Sequence, residues 1–257
     1  MSIMTSRINL NEYLQRIGPY SALTPDQRQQ LIEGARFLEE DKGQVLFEHG
    51  ERASHVYVVI CGHVKLGFSS QQGAEKVVSV SGPGESFGEA CVTLGRDYPF
   101  RAEMLEAATL LVIPAPLFHQ LMADNAAFAA LVTRRIAENL HYLLQEMESA
   151  SLMSGAERVA DFLVRQLDRD AAGAVTVDLA LPKSVIASRL SLTQEHFSRL
   201  LRQLSDQGLI EVDRRHVHIP NVGQLRRFLN SGAGHCVNRG GRSFGRGRTG
   251  WGQLAAA

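Results

Sequence analysis

The 257-residue chain predicts an α+β protein in three parts: an antiparallel β sandwich or barrel, a long amphipathic helix, and a winged helix-turn-helix. Three features of the sequence point to it. Residues 181–210 read as a short helix containing Ala187, a turn at Ser191–Leu192, a second helix and an exit at Gly208. Residues 41–113 hold short β-branched and aromatic runs broken by Gly43, Gly50, Gly62, Gly73 and Gly82-Pro83-Gly84, at intervals of roughly ten residues. From Pro116 to Ser151 apolar residues return at helical steps of three and four.

Taken in order, residues 9–40 predict helix. Thr24-Pro25-Asp26-Gln27 forms a capping box with proline at the first helical position. Strands follow at Val45–Phe47, Val56–Ile60, Val64–Phe68, Lys76–Val80 and Leu110–Ile113, the second with imperfect alternation. The stripe Ala129, Val132, Ile136, Leu140, Leu143, Met147 and Ala150 is close to a coiled-coil seam. It can pack on its own domain or pair with a second copy. Pairing is expected, because groove-reading helices work in symmetric dimers. Ser149–Gly155 is a hinge of small residues, 156–170 a further helix, and Val175–Leu179 a strand. After the helix-turn-helix, Ile210–Val212 and Val217–Ile219 flank a basic turn at Arg214–Arg215 and make a wing. The boundaries are therefore 1–115, 116–151, 152–230, and a Gly/Arg tail at 231–257 that is expected to be disordered.

Composition narrows the function. The content of 44% hydrophobic and 21% charged residues is that of an ordinary soluble protein, with no apolar run long enough to span a bilayer and no signal-peptide core. A cytoplasmic protein without membrane contact is expected. Net charge is zero but uneven. Residues 1–150 carry 12 Lys/Arg against 18 Asp/Glu, 151–230 carry 11 against 9, and 231–257 carry four Arg and no acid. Cys61, Cys91 and Cys236 form no CxxC pair, so neither structural zinc nor a disulfide framework is expected, and no metal-ligand set can be assigned. No nucleophile motif, P-loop or paired-carboxylate arrangement is present, which argues against an enzyme.

The second helix of the 181–210 run has the chemistry of a DNA reader. Phe197, Leu200, Leu201 and Leu204 would face a core. Glu195, Ser198 and Arg199, at i, i+3 and i+4, would share the outer face. Arginine can give two hydrogen bonds to guanine, glutamate can accept from a cytosine amine, and serine can bond several bases. Lys183, Thr193, Gln194 and Arg202 suit phosphates or auxiliary contacts.

With these residues in view, the chain resembles the CRP/FNR superfamily of bacterial transcription regulators over nearly all of residues 10–229. The helix-turn-helix matches without a gap, and Asp206-Gln207-Gly208-Leu209-Ile210 is typical of the group. The resemblance implies a β-roll of the cyclic-nucleotide-binding, jelly-roll type, a long dimerisation helix and a C-terminal winged helix. It implies a homodimer seamed by Val132, Ile136, Leu140, Leu143 and Met147, with double-stranded DNA, RNA polymerase and a small effector as partners. The Glu195-x-x-Ser198-Arg199 version resembles the FNR side of the family and implies TTGAT-type half-sites in an inverted repeat.

Gly88-Glu89-Ala90 resembles the first half of the family's phosphate-binding cassette, and with Arg101 it forms the implied effector pocket. The second half departs from the pattern: Tyr98-Pro99-Phe100-Arg101-Ala102 has no Ser or Thr beside its arginine. A phosphate needs close donors as well as charge, so this departure counts against a cyclic nucleotide. A cyclic-nucleotide-gated regulator is the alternative reading. No cysteine precedes Cys61, so the family's iron–sulfur cluster is not expected. What remains resembles the denitrification branch, which answers nitric oxide and has members linked to haem. For haem, His49, His55, His63, His119, His141 or Cys91 could ligate.

Overall fold

The computed structural model describes residues 9–69, 75–168 and 170–232. The chain forms two units that divide between His141 and Tyr142.

In the first unit, α1 (Leu10–Arg16), a 3-10 turn (Gly18–Ala22) and α2 (Pro25–Gly34) precede the strands. The Thr24 hydroxyl accepts from the Gln27 amide at 3.2 Å, and Gln27 Oε1 accepts from the Thr24 amide at 3.1 Å. This is the reciprocal cap that the sequence predicts. The helix expected through residue 40 ends earlier. Arg36–Glu40 is strand β1, with Phe37 opposite Leu111. Leu and Glu favour helix by only a few tenths of a kcal/mol per residue, and pairing along a sheet outweighs that.

There follow β2 (Val45–Phe47), β3 (His55–Cys61), β4 (Val64–Ser69), β5 (Glu75–Ser81), β6 (Ser86–Phe87), α3 (Glu89–Leu94), β7 (Arg101–Met104) and β8 (Ala108–Pro114). They make two four-stranded antiparallel sheets, ordered β1-β8-β3-β6 and β2-β7-β4-β5. The imperfect alternation of β3 has a physical origin, because both of its faces are covered. Tyr57 and Val59 join an aromatic cluster with Phe47, Phe87, Tyr98 and Met104. Val56, Val58 and Ile60 pack instead with Leu14, Leu31, Phe118 and Phe128. In the aromatic cluster Phe47 stacks on Tyr98 at 3.7 Å between centroids, and Tyr57 on Phe87 at 5.2 Å.

The helical stretch after β8 is interrupted once. Helix α4 (Ala115–Asp124) and helix α5 (Ala126–Leu152) meet at Asn125, whose Oδ1 accepts from the Phe128 amide at 2.9 Å. The division between the units falls within α5. The expected hinge at 149–155 is shorter than predicted. Helix α5 continues to Leu152, and Ser154 already caps α6 (Gly155–Arg165), which stops at Arg165 rather than 170. The second unit continues with β9 (Val175–Asp178), α7 (Lys183–Arg189), α8 (Gln194–Asp206), β10 (Glu211–Asp213), β11 (His216–Ile219) and α9 (Val222–Gly232). Its sheet is ordered β10-β11-β9. Val159, Leu163, Ile186, Phe197, Leu204, Val217 and Leu225 form its buried interior. Helix α9 takes the first two residues of the expected tail, and the rest of 231–257 lies outside the described residues. Among the described residues no helix is long and apolar enough to cross a membrane.

One carboxylate sits inside the first unit. Glu89 opens α3 and is buried; it accepts from the Ser86 hydroxyl, and Tyr20 and Arg135 are also close enough to interact with it. Arg135 also reaches Glu85 at 3.4 Å. Burial raises the Glu89 pKa above the ordinary carboxylate range, and the Ser86 hydrogen bond and the Arg135 charge draw it partly back. The folded state therefore holds this proton more tightly than the unfolded state. Stability should fall as pH rises from the ordinary carboxylate pKa of about 4.3 towards the raised value. Urea unfolding across the acid-to-neutral range should show that decline in the native protein and a flatter profile for Glu89→Gln. Parallel profiles would contradict the account.

Candidate nucleic-acid interface

The reading helix is built by burial on one side and capping at its start. Phe197, Leu200, Leu201 and Leu204 are all buried on one face of α8. They pack in the same core as Val185, Ile186 and Ala187 of α7. Close approach matters here: a Cβ added at Gly155, the start of α6, would lie 2.9 Å from Leu200 Cδ1. Between the helices Ser191 adopts φ 56°, the left-handed conformation that closes the turn. Thr193 caps α8, its hydroxyl accepting from the His196 amide at 3.2 Å. Gly208, at φ 68°, ends the helix run.

With the apolar face fixed inward, Glu195, Ser198, Arg199 and Arg202 are all exposed. At ~100° per residue they fall on one stripe, with Arg202 a turn beyond the other three. Gln194 and Thr193 are exposed beside the first turn, and Lys183 is half-buried at the start of α7. The capping bond uses Thr193 Oγ1 as acceptor and leaves its hydrogen able to donate. In the wing, Arg214 holds φ 53° at the exposed tip, while Arg215 pairs with Asp178 at 3.3 Å.

The sequence-derived dimer seam divides into two parts. Val132 is buried in the first unit's own core, and Ile136 is half-buried against it. Leu140, Leu143 and Met147 are exposed, as is Leu144, which the sequence reading left out.

The effector quartet is not brought together either. Gly88, at φ 96°, is the N-cap of α3, and a Cβ there would lie 3.0 Å from the His55 carbonyl oxygen. Glu89 is engaged with Ser86 and Arg135, while Ala90 is exposed. Arg101 has different neighbours: Glu103 at 3.2 Å and Glu48 at 3.7 Å. The cause is the two-residue period of β7, which turns Ala102 and Met104 into the aromatic cluster and leaves Arg101 and Glu103 on the opposite face.

The candidate haem ligands are also dispersed. His55 Nδ1 pairs with Ser54 Oγ at 2.8 Å, His63 with Glu106 at 2.5 Å, and His119 donates to the Val92 carbonyl at 3.1 Å. His49 and His141 are exposed, and Cys91 belongs to the aromatic cluster. They sit on separate elements as single candidates, and among the described residues no group of three His, Cys, Asp or Glu could hold a metal ion.

Two residues of evident structural weight escaped the sequence reading. Arg189 is buried in α7 against Tyr142. An arginine among Val185, Ile186, Ala187 and Leu190 was the available signal, because such a residue is almost never buried without strong partners.

Comparison with known proteins matches the geometry. Residues 39–125 match the cyclic nucleotide-binding domain model and 157–228 the Crp-like helix-turn-helix domain model. An anaerobic regulatory protein of Aggregatibacter actinomycetemcomitans is 26% identical over 203 residues, covering 78% of each chain. A solved structure of a candidate cyclic nucleotide binding protein from Ruegeria pomeroyi is 32% identical, over 86% of this chain and 97% of that one, with TM-score 0.54. FixK2 from Bradyrhizobium japonicum shares the fold at 24% identity and TM-score 0.65, over 75% of this chain and 96% of its own. With both domain types matched in the order in which the two units are built, the chain belongs to the CRP/FNR family of transcription regulators.

Proposed function

We propose that this regulator is a homodimer that reads a TTGAT-type inverted repeat and answers nitric oxide or the oxygen state. The observation that carries the DNA reading is the exposed stripe Glu195, Ser198, Arg199 and Arg202 on a helix whose other face is buried. Glu195, Ser198 and Arg199 contact base edges. Lys183, Thr193, Gln194 and Arg202 contact phosphates or assist, fixing register without selecting sequence. The two reading helices of a dimer would lie about one DNA turn apart, roughly 34 Å.

The dimer reading rests on the exposed part of α5. Leu140, Leu143, Leu144 and Met147 present large apolar side chains to solvent at i, i+3, i+4 and i+7. A second copy offers the same stripe and buries it symmetrically. DNA, a second copy, RNA polymerase and a small effector are its partners, all met in the cytoplasm. The effector reading follows from the family resemblance and from the anaerobic regulatory proteins among its relatives. Haem, which needs only one or two axial protein ligands, is the proposed carrier of that response, ahead of a cyclic nucleotide.

Three measurements test the proposal. Arg199→Ala should abolish preference for the inverted repeat while weak, salt-sensitive binding survives. Arg202→Ala should instead lower affinity for all sequences and reduce the salt slope by about one. Unchanged preference in Arg199→Ala, read by fluorescence titration, would sink the assignment of the reading face. Met147→Glu with Leu143→Glu should convert the dimer to monomer in sedimentation equilibrium, and a persistent dimer would contradict the seam. Absorption spectra of the native protein with and without nitric oxide test the effector: a Soret band shifted by the gas is the expected result for haem, and its absence would overturn haem in favour of another small effector.

A further inference from the structure

Helix α5 has a second, polar face in its last four turns. Tyr142, Gln145, Glu146 and Ser149 recur at helical spacing, on the side opposite Leu143, Leu144 and Met147. Ser149 is buried and the other three are half-buried. Two arginines reach this face from the DNA-reading half. Arg165 of α6 donates to Gln145 Oε1 at 3.3 Å, lies 3.8 Å from Glu146 Oε1, and is itself steered by Asp161 at 2.6 Å. Arg189, the last residue of α7, is 7% exposed. Its guanidinium carbon lies 4.8 Å from the centre of the Tyr142 ring, and its Nη2 donates to the Tyr142 hydroxyl. The Tyr142 phenol is pushed up to about 12, by burial first, with Arg189 opposing and Glu146 adding to the rise. It is neutral at ordinary pH and able to donate onward to Glu146.

A buried guanidinium beside Ile186 and Leu190 costs more desolvation than a leucine there would, and needs defined partners. What it adds is direction. An apolar contact tolerates sliding, whereas a planar cation held over a ring and hydrogen-bonded to its hydroxyl fixes one angle. Helix α8 packs in the same core as α7, so its direction follows that of α7.

We propose that Tyr142 and Arg189 are positioning residues for DNA reading, holding the helix-turn-helix at one angle on the long helix. The proposal rests on the DNA-reading function above only for its second readout. The first readout needs no DNA. Nitroxide labels at exposed Glu148 and Gln203, in a background with the native cysteines replaced, report the distance from α5 to α8 by electron–electron resonance. The native protein should give one narrow distribution. Tyr142→Phe, which removes a single oxygen, should broaden it while the thermal midpoint stays close to native. Arg189→Met should broaden it further, and Arg189→Lys should fall between.

The second readout is binding to inverted repeats whose spacer varies one base pair at a time. The native protein should show a sharp optimum. Tyr142→Phe should lose about tenfold at that optimum, bind neighbouring spacings more evenly, and keep the native half-site preference. An unchanged narrow distance distribution with unchanged spacing tolerance overturns the proposal. So does a loss of half-site preference together with a collapse of the thermal midpoint, which marks a merely structural contact. If Arg189→Met does not fold, Tyr142→Phe decides alone. If the native protein shows no half-site preference, the reading of Glu195–Arg199 is wrong, and the distance measurement still decides the clamp.

Discussion

The inward face of α8 is the constraint on which the DNA-reading surface depends. Phe197, Leu200, Leu201 and Leu204 are fully or nearly fully buried. Each large apolar side chain gains about 1.5–3 kcal/mol on leaving water. Rotating the helix by a quarter turn would expose part of that set and bury Arg199 or Arg202 without partners. Both changes are unfavourable, so the outer stripe is determined by the inner one. The polar residues there carry no folding duty and are free to be selected for what they contact. Thr193, Ser191 and Gly208 then set where the helix begins and ends.

The long helix applies the same logic twice along its length. In its first half, Val132 and Ile136 are drawn into the core beneath β3 and β8. In its second half the apolar stripe has nothing among the described residues to cover it, and the opposite face meets Arg165 and Arg189. A stripe that is continuous in sequence therefore does two different jobs. Apolar spacing alone cannot separate them, because both need the same residue types at the same period.

Legibility in the sequence followed the range of the interactions. The helix-turn-helix was readable because its period, cap and glycine exit are all local, and Glu195, Ser198 and Arg199 fall where the period places them. The strands flanked by glycines were readable for the same reason. β1 has the sequence of a helix, because Arg36–Glu40 holds helix-forming residues and becomes strand only by pairing with β8. β6 and α3 are two and six residues long, too short to show a period. The effector quartet turns on facing, which a motif does not show: the alternation of β7 turns Arg101 away from the side where Ala102 packs. The Tyr142–Arg189 contact spans 47 residues and left only an oddly placed arginine as its trace.

The central claim is that two copies of the α8 stripe read symmetric half-sites. Selection of bound duplexes from a random-sequence pool by the native full-length protein tests it most directly. The account predicts enrichment of an inverted repeat whose half-site centres lie about one helical turn, roughly 34 Å, apart. Enrichment of a single half-site or a direct repeat, or no enrichment at all, would contradict it.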